Sequence, residues 1–313
     1  MYHTKLIAGA FIAFFMIGGT CDKPNPVDTE TPAPKPSFGT FLVSLNPPNE
    51  LSQGYTTIAG KVNDGPTPST TVWEEMAAAD NCRLLTPRIP FCDPPCGGSA
   101  ACVEDDSCQS YPSPIYIGKV VMNGIKTSDG TMSFTMDTMK WNYLTAGGLA
   151  YPPFNEGDIV TMSAAGSSTS EAFSLSVKGI NPLEVPDDSI VLENGKPITI
   201  RWTPAGSAAS SIISIMVDIS HHGGTKGKIQ CECPDNGSVT IPATLIDKLK
   251  ALGYFGFPKI EIARRAVTRD STASVELVIE SSITKEVYIP GLISCNQNED
   301  CPEGQTCVNA RCQ

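Results

Sequence analysis

The chain has 313 residues, enough for two folded domains, and 41% of them are hydrophobic. Only 18% are charged, and 22 Lys and Arg against 33 Asp and Glu leave a formal charge of -11. Because nucleic-acid binding needs a clustered basic surface, this balance argues against a nucleic-acid partner.

The chain begins with the pattern of an export signal, which we predict over residues 1–20. Lys5 precedes an apolar run from Leu6 to Gly19, shorter than the roughly 20 residues that a membrane-spanning helix needs. The run leads through Ile-Gly-Gly-Thr to Cys21. This ending resembles the lipobox of bacterial lipoprotein signal peptides, which implies cleavage before Cys21 and acylation of that cysteine. The alternative is an ordinary secretory signal followed by an incidental cysteine.

Residues 21–37 are predicted to form a lipid anchor and a proline-rich spacer. Five prolines and very few aliphatic side chains rule out a packed core there, so we expect an extended, polyproline-like segment. At about 3 Å per residue, such a segment would hold the folded part roughly 45 Å from a membrane.

From residue 38 onward, short apolar runs separated by Gly, Pro and Asn turns predict an all-β fold. We predict one β-sandwich over 38–182, with a cysteine-rich insertion at 82–108 preceded by a short helix at 73–80. A second sandwich is predicted over 183–290, and its strand count and Trp202 resemble immunoglobulin-like domains. The one convincing helix is predicted over 241–252, entered through a proline and stopped by a glycine.

Twelve cysteines give the second strong signal, because an oxidising envelope compartment makes disulfides the default. With Cys21 assigned to lipid, eleven cysteines remain as disulfide candidates: Cys82, Cys92, Cys96, Cys102, Cys108, Cys231, Cys233, Cys295, Cys301, Cys307 and Cys312. Two groups of four have related spacings, C-x3-C-x5-C-V-x4-C and C-x5-C-x5-C-V-x3-C. We call them the first knuckle (residues 92–108) and the second knuckle (residues 295–312, within a terminal segment predicted over 291–313).

Each knuckle is too short to fold by apolar burial alone, so cross-links must stabilise it. We favour pairing the first cysteine with the third and the second with the fourth, although four cysteines allow three pairings. Zinc is the competing interpretation, but neither knuckle has the C-x2-C pair typical of zinc ribbons.

Three cysteines remain, and two of them, Cys231 and Cys233, share one face if their segment is a strand. We expect one of them to pair with Cys82, which leaves one thiol free and gives five disulfides in all. A free thiol could act as a nucleophile if a histidine served as its base, and the mature chain has only His221 and His222.

Other constellations fit ordinary structure better than chemistry. The glycine-rich loop after His222 lacks the phosphate-loop pattern, and the two histidines would need a carboxylate such as Asp218 or Asp235 to hold a metal. Methionines are expected to pack in the core rather than bind copper: Met132, Met136 and Met139. We therefore predict no catalytic residue, no cofactor and no metal site.

The lipobox, the spacer, the cysteine-rich segment 82–108, the loop before Cys231 and the second knuckle together resemble the cysteine-rich envelope lipoproteins of the myxobacterial type. The second knuckle also resembles the short cysteine-rich modules called Dickkopf-like. These resemblances cover about a quarter of the chain and imply surface exposure and disulfide scaffolding, without an established chemistry.

The expected function is that of a non-enzymatic envelope lipoprotein, anchored through Cys21 in the outer membrane of a Gram-negative bacterium. Its role would be structural or adhesive, with a cell-surface protein or glycan as ligand. A carbohydrate-binding module is the first alternative and would need exposed aromatic side chains gathered on one face, from Trp73, Trp141, Tyr143 and Tyr151. An envelope hydrolase is the second, and it would need Ser220 or a thiol beside His221 or His222.

Overall fold

The computed structural model describes residues 37–48, 52–136, 138–145, 147–186, 189–206, 208, 210–220, 224–270 and 274–313. These residues are nearly all in strands and turns, so the predicted all-β class is confirmed. The strands of the first half are β1 (Phe38–Asn46), β2 (Tyr55–Asn63), β3 (Val72–Ala79), β4 (Cys82–Arg88), β5 (Ala100–Glu104), β6 (Ser107–Ser110), β7 (Val120–Asn123), β8 (Ser133–Met136), β9 (Thr138–Met139), β10 (Asn142–Leu144), β11 (Ile159–Ala164) and β12 (Phe173–Lys178).

The second half adds the only helix of the described residues, α1 (Ala243–Ala251), and a 3-10 turn (Asn298–Asp300). Its strands are β13 (Ile190–Val191), β14 (Ile198–Arg201), β15 (Ile212–Asp218), β16 (Lys228–Pro234), β17 (Ser238–Ile241), β18 (Lys259–Arg269), β19 (Val275–Tyr288), β20 (Cys307–Val308) and β21 (Arg311–Cys312).

One large sheet runs through the described part of the chain in the order β3-β4-β16-β15-β18-β19-β1-β2-β10-β9, with β13 also paired to β19. Near the middle of this order β1 pairs with β19 in parallel, and Gly39 lies opposite Val275. The first strand of the fold is therefore held beside the last long one.

The first core lies between β1, β2 and a four-stranded sheet in the order β12-β11-β7-β8. Alternate residues of β1 point inward, with Phe41, Val43 and Leu45 fully buried, as the period of two in a strand requires. Tyr143 is also fully buried; its hydroxyl accepts from the Ile117 N–H at 3.0 Å and donates to a backbone carbonyl at 2.9 Å.

The second core lies between the β4-β16-β15-β18 part of the large sheet, the β14-β17 pair and α1. The helix begins after Pro242 and buries Leu245, Ile246 and Leu249, so the predicted helix is confirmed. Trp202 is buried in the same core.

The two cores share strands. Both β18 and β19, of 11 and 14 residues, contribute side chains to each core, for example Leu277 to the first and Val287 to the second. Conversely, β4 belongs to the first half of the chain, but its Leu84 packs in the second core. Most residues of the first core therefore precede residue 182 and most residues of the second core follow it. The large sheet contains strands from both sides of this predicted division.

One local prediction was wrong: the segment 73–80 is strand β3 and the turn that follows it, not a helix. Its alanines and glutamates favour a helix, but the segment pairs along its length with β4, and this tertiary pairing overrides local propensity. A tight turn with Asp80 at a φ of 53° joins the two strands. A bulge at Met76 interrupts the ladder along the outermost strand of the sheet.

Within the described ranges, no helix combines the length and apolar character that crossing a bilayer would require. The predicted signal peptide, Cys21 and nearly all of the spacer lie outside those ranges.

Candidate functional site

Both knuckles are closed by two disulfides each, in the pairing that the sequence favours. Cys92 bonds to Cys102 and Cys96 to Cys108 in the first knuckle, around the hairpin of β5 and β6. The second knuckle repeats the arrangement around β20 and β21, with bonds Cys295–Cys307 and Cys301–Cys312. These sulfurs lie close enough together to suit a metal, but here they are covalently paired.

The first knuckle is fastened to the edge of the large sheet by Arg88, the last residue of β4. Its guanidinium contacts Glu74 of β3 at 2.5 Å, Glu104 at 2.6 Å and Asp105 at 2.8 Å. The hydrogen bonds that Arg88 donates to Glu74 and Glu104 raise the pKa of its guanidinium, which therefore stays charged. One cation thus joins the edge strand to the turn of the knuckle hairpin.

The chain entering the first knuckle is held on both sides of Phe91. The Phe91 N–H donates to Asp105 at 3.0 Å, and the Asp106 N–H donates to the Phe91 carbonyl at 3.0 Å. The Phe91 hydrogen bond and the charge of Arg88 outweigh desolvation and keep the pKa of Asp105 below its ordinary value. Next to Phe91, Cys92 is buried and cross-linked. The backbone here is therefore fixed.

Although their backbone is fixed, Ile89 and Phe91 project into solvent, 72% and 73% exposed. They are the most exposed large hydrophobic side chains among the described residues, where the next reaches 60%. Pro90 between them is buried. Sequence reasoning missed this pair, because exposure of an apolar residue depends on which face the fold turns outward.

The second knuckle is packed against the loop that follows α1. The Ser294 hydroxyl donates to the Gly256 carbonyl, and the Arg311 guanidinium lies 5.5 Å from the ring centre of Tyr254. Cys295 is 1% exposed. This knuckle therefore covers part of the second core, against which Tyr254 packs.

The remaining pair of sulfurs joins distant parts of the chain. Cys82 of β4 bonds to Cys231 of β16, 149 residues later. Cys233 is the one free cysteine of the described residues, and it is buried. Burial raises the pKa of the Cys233 thiol, and the charge of Asp235 raises it further. A buried thiol with a raised pKa is a poor nucleophile, so this site gives no support to thiol catalysis.

We expect the mature protein, extracted from membranes without reductant, to resist alkylation while folded because its one free thiol is buried. Unfolding in denaturant without reduction should expose that thiol and add a single alkyl group, detected by intact mass spectrometry. Reduction should then add ten more on the disulfide cysteines. Uptake of four or more groups before reduction would contradict the disulfide assignment.

Ser220 is not placed as an accessible nucleophile. It is 1% exposed; its hydroxyl donates to Asp218 at 3.3 Å and accepts from the Lys226 N–H at 2.8 Å. Thr225 also donates to Asp218, at 3.0 Å, so the cluster closes the loop after β15. His221 and His222 lie outside the described residues.

Asp235, the other carboxylate considered for a metal, belongs to a buried ion pair instead. Its oxygen lies 2.6 Å from Nε of Arg264, and the two side chains are 4% and 2% exposed. Asp235 also accepts from the Trp202 indole at 2.7 Å and the Ser211 hydroxyl at 2.7 Å. Burial alone would raise the pKa of Asp235, but these hydrogen bonds and the charge of Arg264 hold it below its ordinary value.

Arg264 also binds the segment that joins the two cores. Its terminal nitrogens donate to the carbonyls of Asn181 and Pro182 at 3.3 and 3.2 Å, and to Thr203 at 2.5 Å. No sequence motif predicted that Arg264 is buried, because an arginine in a strand is usually at the surface.

The aromatic side chains considered for glycan binding are not gathered together. Trp73 lies on β3 at one end of the large sheet, where Lys228 sits 4.0 Å above its ring, and Trp141 lies in the β9–β10 turn at the other end. Tyr143 is buried in the first core, and Tyr151 is partly buried. Of the methionines, Met136 is in the first core, whereas Met132 and Met139 are exposed.

The described residues thus define a disulfide-rich, all-β protein with two cysteine knuckles. No protein family matches the sequence, and no curated protein matches it. Among solved structures, a crystal structure of the FN1-FN3 domains of chicken CNTN1 is similar, with 10% sequence identity and a TM-score of 0.21. The similarity covers 77% of this chain and 70% of that one. At this TM-score it carries no argument about function.

Proposed function

We propose that this chain is a non-catalytic lipoprotein of the cell envelope that presents a rigid, disulfide-stabilised surface for binding a partner. The observation that carries the proposal is the cross-linked first knuckle together with Ile89 and Phe91 at its entry, which are exposed although the backbone of Phe91 is held by hydrogen bonds. Preorganisation of this kind lowers the ordering cost of association.

The exit of the first knuckle and the first strand of the fold lie at the same end of the first core. The spacer leads directly into β1 at Phe38, which pairs with Asn63 at the end of β2. The exit of the first knuckle meets this end of the fold, since Asp64 and Ser113 exchange hydrogen bonds of 2.9 and 2.7 Å. The second knuckle follows β19, whose 14 residues span about 45 Å.

A protein partner is better supported than a glycan, because the exposed tryptophans lie at opposite ends of the large sheet and make no common platform. Hydrolysis has less support still, since the hydroxyl of Ser220 and the thiol of Cys233 are buried. The predicted lipobox and spacer favour the envelope, in the myxobacterial type of lipoprotein that the sequence resembles, with the outer membrane as the proposed location.

Lipid anchoring is tested by replacing Cys21. In cells grown with an alkyne-labelled palmitate, the wild-type protein should carry the label and should fractionate with membranes. Cys21→Ser should abolish the label. Cys233→Ser is the matched control, because it also removes one unpaired cysteine yet should leave the label unchanged.

Binding is tested with the unlipidated chain starting at residue 22, fluorescently labelled and titrated onto isolated envelopes of the producing bacterium. Saturable binding that survives washing is expected for the oxidised protein. Opening the first knuckle with Cys96→Ala and Cys108→Ala should weaken it. A purely linear, unsaturable signal would contradict a binding role.

A further inference from the structure

The exposed apolar pair at the entry to the first knuckle has a chemistry that goes beyond a general binding role. Ile89 and Phe91 stand two residues apart on either side of a buried proline, so both side chains project to the solvent side. Isolated exposed apolar residues are common and need no explanation. Two neighbouring ones, each more than 70% exposed on a fixed backbone, form a small apolar knob.

The surroundings of this knob are strongly acidic. Residues 89–111 contain four carboxylates and no Lys or Arg: Asp93, Glu104, Asp105 and Asp106. All four residues are exposed. The one nearby cation, Arg88, already contacts three carboxylates, among them Glu74 of the edge strand. The knob therefore lies within an acidic collar whose charge Arg88 offsets only in part.

We propose that the knob and its collar form a docking site for a basic protein surface; the knob is Ile89 and Phe91, and the collar is Asp93, Glu104, Asp105 and Asp106. This inference rests on the proposed binding function and names the partner's chemistry. The two apolar side chains would act as anchors that become fully desolvated in an apolar pocket of the partner. Lys or Arg residues around that pocket would face the collar and steer the encounter.

Charge complementarity selects this occupant over the others. A second copy of the chain carries a formal charge of -11, so two acidic collars would repel each other. An anionic lipid surface would be repelled in the same way. A glycan would need a flat aromatic platform, and the knob contains a single aromatic ring beside an isoleucine.

The test uses synthetic peptides as probes with the unlipidated chain. One peptide alternates Lys and Leu, one alternates Glu and Leu, and one alternates Lys and Ser. The Lys-Leu peptide should bind at least about tenfold more tightly than either of the others, because it alone offers both charge and apolar contact. Binding is measured by fluorescence anisotropy at two salt concentrations, since the charge component should weaken with salt.

Two pairs of variants separate the knob from the collar. Ile89→Ser with Phe91→Ser should weaken binding of the Lys-Leu peptide by roughly tenfold, whereas Val308→Ser, at a 43% exposed site in the second knuckle, should not. Asp93→Asn with Glu104→Gln should weaken binding of the Lys-Leu peptide several-fold and reduce the salt dependence of that binding. Glu299→Gln with Glu303→Gln, the control in the second knuckle, makes the same change in net charge and should have no such effect.

Equal binding of the Lys-Leu and Glu-Leu peptides, or equal loss in knob and control variants, would overturn the inference. Binding of the knob to vesicles of zwitterionic lipid, lost in Ile89→Ser with Phe91→Ser, would also overturn it in favour of a membrane. The same variants are titrated onto envelopes, after mass spectrometry has verified their five disulfides. If wild type and knob variants bind envelopes equally, this inference fails and the proposed function stands; if none binds saturably, the proposed function fails.

Discussion

Removing the Cys82–Cys231 cross-link by the double substitution Cys82→Ala and Cys231→Ala is expected to destabilise the fold strongly. The disulfide closes a loop of 149 residues, and the loss of that constraint on the unfolded chain corresponds to about 4–5 kcal/mol of unfolding free energy. It also pins the β3–β4 hairpin, whose pairing with the rest of the sheet is through β16 alone. We therefore expect the edge hairpin to open first in the variant.

Urea unfolding monitored by tryptophan fluorescence measures the change, because Trp73 lies on the hairpin and Trp202 in the second core. The control is Cys301→Ala with Cys312→Ala, which opens a loop of only 11 residues and should lose about 3 kcal/mol or less. A larger loss in the control than in the Cys82 and Cys231 variant would contradict the loop-length argument. Hydrogen exchange should show amide protection lost first in β3 and β4.

The cysteines could be assigned from sequence because their constraints are local. Within each knuckle, four cysteines in fewer than twenty residues leave few pairings, and the favoured one is found in both. Cys82 could be placed as well, because only two cysteines remained to receive it. The short apolar runs likewise predicted strands, and in β1 Phe41, Val43 and Leu45 point inward.

Pairing between distant strands could not be predicted, because a strand's sequence does not specify its neighbour. Nothing in β1 indicates that it lies parallel to β19, although this pairing joins the two cores into one sheet. The same limit explains β3, whose helix-favouring alanines are held extended by β4. The helix α1 was predictable because its signals, Pro242 before it and Gly253 after it, are local.

Only part of the candidate site could be predicted from the sequence. The knuckle itself could be predicted from spacing, and its acidic residues could be counted. The outward position of Phe91 depends on two hydrogen bonds with the turn of the hairpin: the Phe91 N–H donates to the Asp105 carboxylate, and the Asp106 N–H donates to the Phe91 carbonyl. These bonds join separate segments of the chain, so no local sequence pattern predicts them.

Replacing Arg264 with methionine is expected to lower the free energy of unfolding by about 3–5 kcal/mol, because Asp235 would keep a buried charge without its cationic partner. The carbonyls of Asn181, Pro182 and Thr203 would also lose their donor. Arg269→Met is the matched control on the same strand: its side chain is 65% exposed and pairs with Glu276 at the surface, so the change should cost less than about 1 kcal/mol. Equal effects of the two substitutions in urea unfolding would contradict the role given to Arg264.

The ion pair also predicts a pH dependence whose sign follows from Asp235. Its pKa is lower in the folded protein than in the unfolded chain, where an aspartate titrates near about 4. The pair therefore contributes its full stabilisation above that value and loses it as pH falls through the lower, folded pKa. Asp235→Asn removes this contribution, so the difference in unfolding free energy between wild type and variant should be largest near neutral pH and shrink in acid. A difference that stays constant from pH 7 to pH 2 would mean that Asp235 carries no ionised partnership with Arg264.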